Sequence, residues 1–275
     1  MDEVAVCGNT ASCDRGCEQN RNDPIVSVVM PAYNVASYLA QAAESVLSQT
    51  VTDFELLIVN DFSTDETAEI AAAIAARDNR VRVLSNETNC GVAVTRNRGI
   101  AAARGTYIAL LDGDDYWYPK KLEKQLSLAE RSGAEIIYCS YDLVEEREEP
   151  RKRSYIVPPE TDYNKMLSRN VISCSTVLLK ASALAPEPFG TAKDYSEDFL
   201  LWMKLLEEGK RAIGCTEVLG AYRLMPQSRS SKKFRCARYH WKIYRKQLHL
   251  SLFRSSISFL RYACYGVKKY IGLRR

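Results

Sequence analysis

Nowhere does the sequence reach ~18 uninterrupted apolar residues, the length a helix needs to cross a bilayer, so a spanning segment is not expected. The opening Met1-Asp2-Glu3 lacks the basic and apolar regions of a secretory signal. Cys7, Cys13 and Cys17 lack paired CxxC spacing and a nearby histidine, so zinc is not expected there. Most of the nine cysteines sit singly, and Cys139, Cys174, Cys215 and Cys264 read as small hydrophobes in a reducing compartment. The two histidines, His240 and His249, both fall in a basic C-terminal stretch, and neither is assigned a catalytic role. No repeat or low-complexity segment stands out.

Acidic residues also run out, and this absence carries information. The last is Glu217, after which 15 Lys or Arg stand against no Asp or Glu. The net charge of +4 therefore hides an acidic body and a basic tail. Such asymmetry points to an anionic partner for the tail. Membrane is favoured over nucleic acid, since no recognised nucleic-acid module accompanies the charge.

The 275 residues suit one large domain with an appended module. Residues 1–24 are polar and without periodicity, as in a flexible leader. From Val26 the pattern alternates. Strands are expected at Val26–Met30, Glu55–Val59, Val81–Leu84, Tyr107–Leu111 and Glu135–Tyr141, with helices between them. Ser63-Thr64-Asp65-Glu66 has capping-box spacing and would open an Ala-rich helix from about Asp65 to Arg77. Glu145–Arg153 reads as a charged surface excursion. Beyond it follow a strand at Ser175–Lys180, a helix at Ser196–Glu208 and a strand at Val218–Arg223. The alternation argues for an α/β fold with a doubly wound, mostly parallel sheet.

The stretch Ile108-Ala109-Leu110-Leu111-Asp112-Gly113-Asp114-Asp115 ends an apolar strand in three carboxylates. Their mutual repulsion asks for a cation. Oxygen ligands suit Mg²⁺ or Mn²⁺ bridging to phosphates, whereas the plain alternative is a solvated acidic turn. Polar clusters also end the first and second expected strands, at Pro31-Ala32-Tyr33-Asn34 and Asn60-Asp61-Phe62-Ser63. In a parallel sheet all three lie on one edge, where ligands of open α/β sheets bind.

The segments VSVVMPAYN, SVLSQT, LLIVNDFSTDET, CGVAVTRNRGIAAARGTYIALLDGDD and SEDFLLW, in that order, resemble family 2 glycosyltransferases of the GT-A fold over roughly residues 25–225. The nearest resemblance is to bacterial enzymes of cell-surface or extracellular polysaccharide assembly. It implies a Rossmann-like, mostly parallel central sheet flanked by helices, with the basic helical extension beyond. It also implies a nucleotide-sugar donor, UDP by family habit, a Mn²⁺ or Mg²⁺ cofactor, inversion at the anomeric carbon, and a saccharide or lipid-linked saccharide acceptor.

By matching motif positions, Pro31, Ala32, Tyr33 and Asn34 would line the nucleotide pocket. Asp61 would contact the base, Asp112 the ribose or sugar, and Asp114 the metal. Arg96 would help hold the donor. Asp198 would be the catalytic base, with Glu197 orienting the acceptor. Read without the resemblance, Asp198 is first of all an acid favoured by a helix N-terminus. Arg223 is open between a phosphate contact and a surface salt bridge. Phe62 departs from the family's usual glycine, and would either narrow the base pocket or pack beneath the loop. A non-catalytic scaffold of the same fold, or transfer onto polyprenyl phosphate, are the alternative functions.

In the tail, residues 226–275, Phe253, Ile257, Leu260, Cys264, Val267 and Ile271 step by four and three beside Arg254, Arg261, Lys268 and Arg275. This pattern suits a helix lying on an anionic membrane surface, or one packed on protein. The expected location is the inner face of the cell membrane, peripheral from the cytoplasm.

Overall fold

A computed structural model describes residues 23–145, 150–190, 196–225 and 233–274. The expected 1–24 leader lies almost wholly outside them. Strands β1 (Val26–Ala32) and β2 (Phe54–Asn60) are buried at every position, as near-continuous apolar strands covered on both faces must be. With β3 (Val81–Ser85) and β4 (Tyr107–Leu110) they form four parallel strands in the spatial order β3-β2-β1-β4. Helices α1 (Ala36–Leu47), α2 (Thr67–Arg77) and α3 (Val92–Ala102) make the crossovers.

The chain then adds β5 (Tyr116–Trp117), α4 (Lys121–Ser132), β6 (Ile136–Glu145), β7 (Pro150–Tyr155), β8 (Glu160–Thr161), α5 (Tyr163–Ser168), β9 (Leu178–Lys180), α6 (Glu197–Glu207) and β10 (Ala212–Leu224). The sheet continues β9-β6-β10-β5. Strand β9 is antiparallel to both neighbours, and β10 is parallel to β6. The expected mostly parallel α/β sheet is therefore present, and its order reverses between β1 and β4. Such a switch point opens a crevice beyond the carboxyl ends of the strands.

Three local expectations change. The segment around 150–155 is not a plain excursion but strand β7, paired antiparallel with β6, because its Ser and Tyr residues can ladder with Asp142 and Tyr141. Residues Cys174–Thr176 form a 3₁₀ turn, so β9 is shorter than the expected strand. The capping box at Ser63–Glu66 is not formed. Asp65 instead accepts from the N–H of Thr67 (3.1 Å) and, across the fold, from that of Ala36 (3.1 Å). One carboxylate thus serves the N-termini of two helices, and these bonds hold its pKa below the usual range against burial, the largest and opposing influence.

Two apolar cores flank the sheet. One lies with α1 and α4 and includes Met30, Leu39, Ile58 and Leu122. The other lies with α3, α5 and α6 and includes Val29, Ile100, Phe199 and Trp202. Ile243, Tyr244, Leu248 and Leu250 join this second core, so it extends beyond residue 225. These residues follow α7 (Lys233–Lys242) and precede α8 (Leu252–Arg274).

Candidate active site at the switch point

The loops after β1 and β2 are tied together. The Asp61 N–H donates to the Ala32 carbonyl at 2.8 Å. Asn34 has left-handed backbone (φ 52°), which asparagine tolerates. Its N–H donates to Ser63 Oγ at 3.1 Å, and its Oδ1 accepts from the Thr64 N–H at 2.8 Å. The β4 loop lies against the same pair, since a Cβ on Gly113 would stand 3.2 Å from the Pro31 carbonyl oxygen. The three polar clusters therefore meet. Pro31 and Ala32 are buried beneath the edge, while Tyr33 is 48% exposed at its rim.

Asp61 is buried, and its carboxylate faces the N-terminus of α3. Oδ1 accepts from Asn86 Nδ2 and the Cys90 N–H, both at 2.8 Å, and Oδ2 from the Gly91 N–H at 2.9 Å. That occupies three of roughly four acceptor positions on a carboxylate. Phe62 neither packs beneath the loop nor is hidden. It is 52% exposed, with φ of 61°.

Arg96 spans the site from α3. Its Nη2 donates to Asp112 at 2.6 Å and its Nη1 to Glu197 at 3.0 Å, with Phe189 beneath the guanidinium at 5.3 Å. It is buried, and it joins the end of β4 to the start of α6. Glu197 is buried too, whereas Asp198 beside it is only partly so. A helix N-terminus ordinarily favours a carboxylate. Here burial, with the charge of Glu197 added, outweighs that and pushes Asp198 up to about 6.

Asp114 is likewise pushed up to about 6, by burial and then by Asp112. Among the described residues no side chain donates to its carboxylate. Asp115 is the residue that sequence reasoning left without a role. It accepts from Ser175 Oγ (2.5 Å) and the Arg223 N–H (2.8 Å), buried inside the turn, which pushes its pKa well up. Its signal was the third acid of the run, but its partners lie 60 and 108 residues away in sequence. Arg223 is not a surface salt bridge. It is buried, with Nε on the Asp114 carbonyl (2.8 Å), Nη2 on Gln41 (2.6 Å), and its guanidinium 4.7 Å from the Tyr38 ring. Trp117 and Trp202 are core residues as expected, and His240 is buried between the rings of Phe199 and Tyr262 at 4.2 and 3.9 Å.

Known proteins share this arrangement of strands. The pattern of glycosyl transferase family 2 matches residues 27–180. The chain is 34% identical over 246 residues to the putative teichuronic acid biosynthesis glycosyltransferase TuaG of Bacillus subtilis (strain 168), covering 90% of this chain and 97% of that protein. It is 33% identical over 250 residues to WfgD of Escherichia coli, a UDP-Glc:alpha-D-GlcNAc-diphosphoundecaprenol beta-1,3-glucosyltransferase, covering 90% and 96%. Among solved structures, S. aureus TarS in complex with UDP-GlcNAc superposes with a TM-score of 0.67 at 20% identity, over 86% of this chain and 71% of that one. The mannosyltransferase PcManGT from Pyrobaculum calidifontis, in complex with GDP-Man and Mn²⁺, superposes with a TM-score of 0.66 at 16% identity, over 88% and 69%. At such identities those two define the fold, which is GT-A.

The class is thus a glycosyltransferase built on a GT-A sheet. The chain belongs to glycosyl transferase family 2.

Proposed function

We propose that the protein is an inverting, metal-dependent glycosyltransferase of polysaccharide biosynthesis. It would move a sugar from a UDP-sugar onto a hydroxyl of a saccharide or lipid-linked saccharide. The names of the relatives support this: one is a teichuronic acid biosynthesis enzyme and another acts on a diphosphoundecaprenol-linked sugar. The observation that carries the reading is Asp198. A partly buried acid pushed to about 6 is still mostly ionised at neutral pH, yet basic enough to take a hydroxyl proton.

The roles proposed are those of the matching motif positions. Tyr33 at the rim and Asp61 at the end of β2 take the nucleotide base. Asp112 faces the ribose or sugar. Arg96 acts on the donor indirectly in this reading, holding Asp112 and Glu197 in place through its two paired ends. Glu197 and Asp198 meet the acceptor. Holding both substrates in line supplies much of the rate.

The donor set also fits a divalent ion. Asp114 is an acid without a protein side-chain donor, placed beside Asp112. Among the described residues no group of three His, Cys, Asp or Glu could hold an ion alone. Mg²⁺ and Mn²⁺ sites of one or two carboxylates completed by substrate phosphates have that composition. When bound, such an ion supplies neutralisation of the charge that builds on the departing diphosphate.

The proposal keeps a transferase domain over 25–225 and a basic helical tail over 226–275, with Ile243, Tyr244, Leu248 and Leu250 of that tail packed into the domain's second core. No helix among the described residues is long and apolar enough to cross a membrane. The side chains of α8 give the peripheral alternative its support. Phe253, Ile257 and Leu260 are exposed on one face and Cys264 continues it, while Ser255 and Ser258 are buried on the opposite face. Val267 and Ile271 lie beyond the side chains that are described. An apolar ridge turned outward and edged by Arg254 and Arg261 suits the cytoplasmic face of an anionic membrane.

Two substitutions test the site. Asp198→Asn should lower turnover at least 10²-fold while UDP affinity, read by calorimetry, stays within about twofold, because a general base contributes 10²–10⁴. Asp114→Ala should lower turnover and also remove the Mn²⁺ dependence of UDP binding. Full activity in Asp198→Asn contradicts the assignment.

A further inference from the structure

A groove of about 670 Å³ opens between α5, α8 and the segment before β8, a volume ordinary for a ligand site (roughly 300–1,000 Å³). It is separate from the nucleotide crevice. Glu160–Thr161, on its wall, pairs with Ala212–Ile213 at the start of β10, whereas Arg223 at the other end of β10 contacts the Asp114 loop. The same span of the partner strand β6 runs from Ile136 to Val144, so at about 3.3 Å per residue those ends stand roughly 25 Å apart.

The lining is apolar at Pro158, Val171 and Tyr265, and cationic at Lys165, Arg169 and Arg261. Its single carboxylate, Glu160, is already paired with Lys165 at 3.3 Å. Arg169 is held flat by aromatic rings, its guanidinium 4.5 Å from Tyr265, with Nη2 on Tyr155 Oη at 3.4 Å. Its Nε is buried and has no hydrogen-bond partner among the described residues, and no carboxylate there pairs with its charge. A rigid guanidinium whose charge no carboxylate there balances is suited to a phosphate oxygen.

The groove also runs into the outward ridge of α8. Cys264 belongs to both, and Arg261 stands between them on the helix surface. We propose that this groove binds the phosphate headgroup of an anionic phospholipid, seating α8 on the membrane by one specific lipid as well as by its apolar ridge. The inference rests on the membrane reading above. The apolar wall accommodates the upper acyl and glycerol carbons, and Arg169 and Arg261 receive the phosphate.

The test is flotation of the full-length protein with phosphatidylcholine vesicles, with and without phosphatidylglycerol. Wild type should prefer the phosphatidylglycerol vesicles. Arg169→Gln with Arg261→Gln should reduce that preference about 25-fold, at about fivefold per basic residue. Arg238→Gln with Lys246→Gln removes equal charge from exposed positions outside the groove, and should cost several-fold less. Arg261 is exposed, so Arg261→Gln alone, expected to cost about fivefold, serves if the pair fails to fold. Equal losses in the two pairs would overturn the groove and leave the membrane reading standing. No binding of wild type to either vesicle would overturn both. Saturable binding of inorganic phosphate at Arg169 without vesicle preference would overturn the lipid assignment.

Discussion

Phe62 holds a left-handed backbone (φ 61°) with its ring half exposed. That conformation costs a residue with a Cβ roughly 1–2 kcal/mol, and glycine in its place loses about 0.5–1 kcal/mol of chain entropy. Phe62→Gly should therefore stabilise the protein by about 0.5–1 kcal/mol in urea unfolding. A loss of stability would show that the ring buries apolar surface. The demand at this position is a left-handed backbone, which the glycine expected from the resemblance would meet without strain. Asp198 makes the second prediction at this scale. As a base it acts only when deprotonated, and burial with Glu197 pushes it to about 6. The pH profile of kcat/KM should rise about tenfold per unit up to about pH 6 and then level off. A profile flat from pH 5 to 8 would remove Asp198 from the base role.

Among elements, the joint between α3 and β4 leaves no room for a side chain. The Gly105 N–H donates to Ser27 Oγ at 2.8 Å, and a Cβ there would stand 2.5 Å from the Ser27 backbone nitrogen. Glu55 completes the joint, accepting from Ser27 Oγ and from Arg104 and Arg82. Because the obstacle is backbone, Gly105→Ala should cost about 2–3 kcal/mol, the upper part of the overpacking range, with little direct effect on nucleotide affinity. A thermal midpoint equal to wild type would contradict the packing. Much at this scale was legible in the sequence. The apolar runs of β1, β2 and β4 are covered on both faces, so composition alone marks them. The short strands β5 and β8 and helix α5 were not legible, since two to six residues carry no periodicity. The capping box misled because Asp65 finds a distant partner, the Ala36 N–H, that local spacing cannot show.

At the scale of the whole molecule, convergence of the three polar clusters was legible from the sheet rule, and the structure shows its reason: the order reverses between β1 and β4. Arg96 was legible as a residue but not as a bridge. Its partners Asp112 and Glu197 lie 16 and 101 positions away, so only the fold reveals the pairing. The basic tail has two parts. Its first, through Leu250, shares a core with α6, and His240, driven down to about 3 by burial, stacks neutral on Phe199 beside the site helix. Its second, α8, turns apolar side chains outward. The central claim is metal-dependent sugar transfer at the switch point. Its most direct measurement is nucleotide release from a panel of nucleotide-sugars, with a lipid-linked saccharide acceptor, with and without Mn²⁺. The account predicts Mn²⁺-dependent release from one donor, a UDP-sugar. No release and no nucleotide binding with any metal would contradict it and make the protein a scaffold of the same fold.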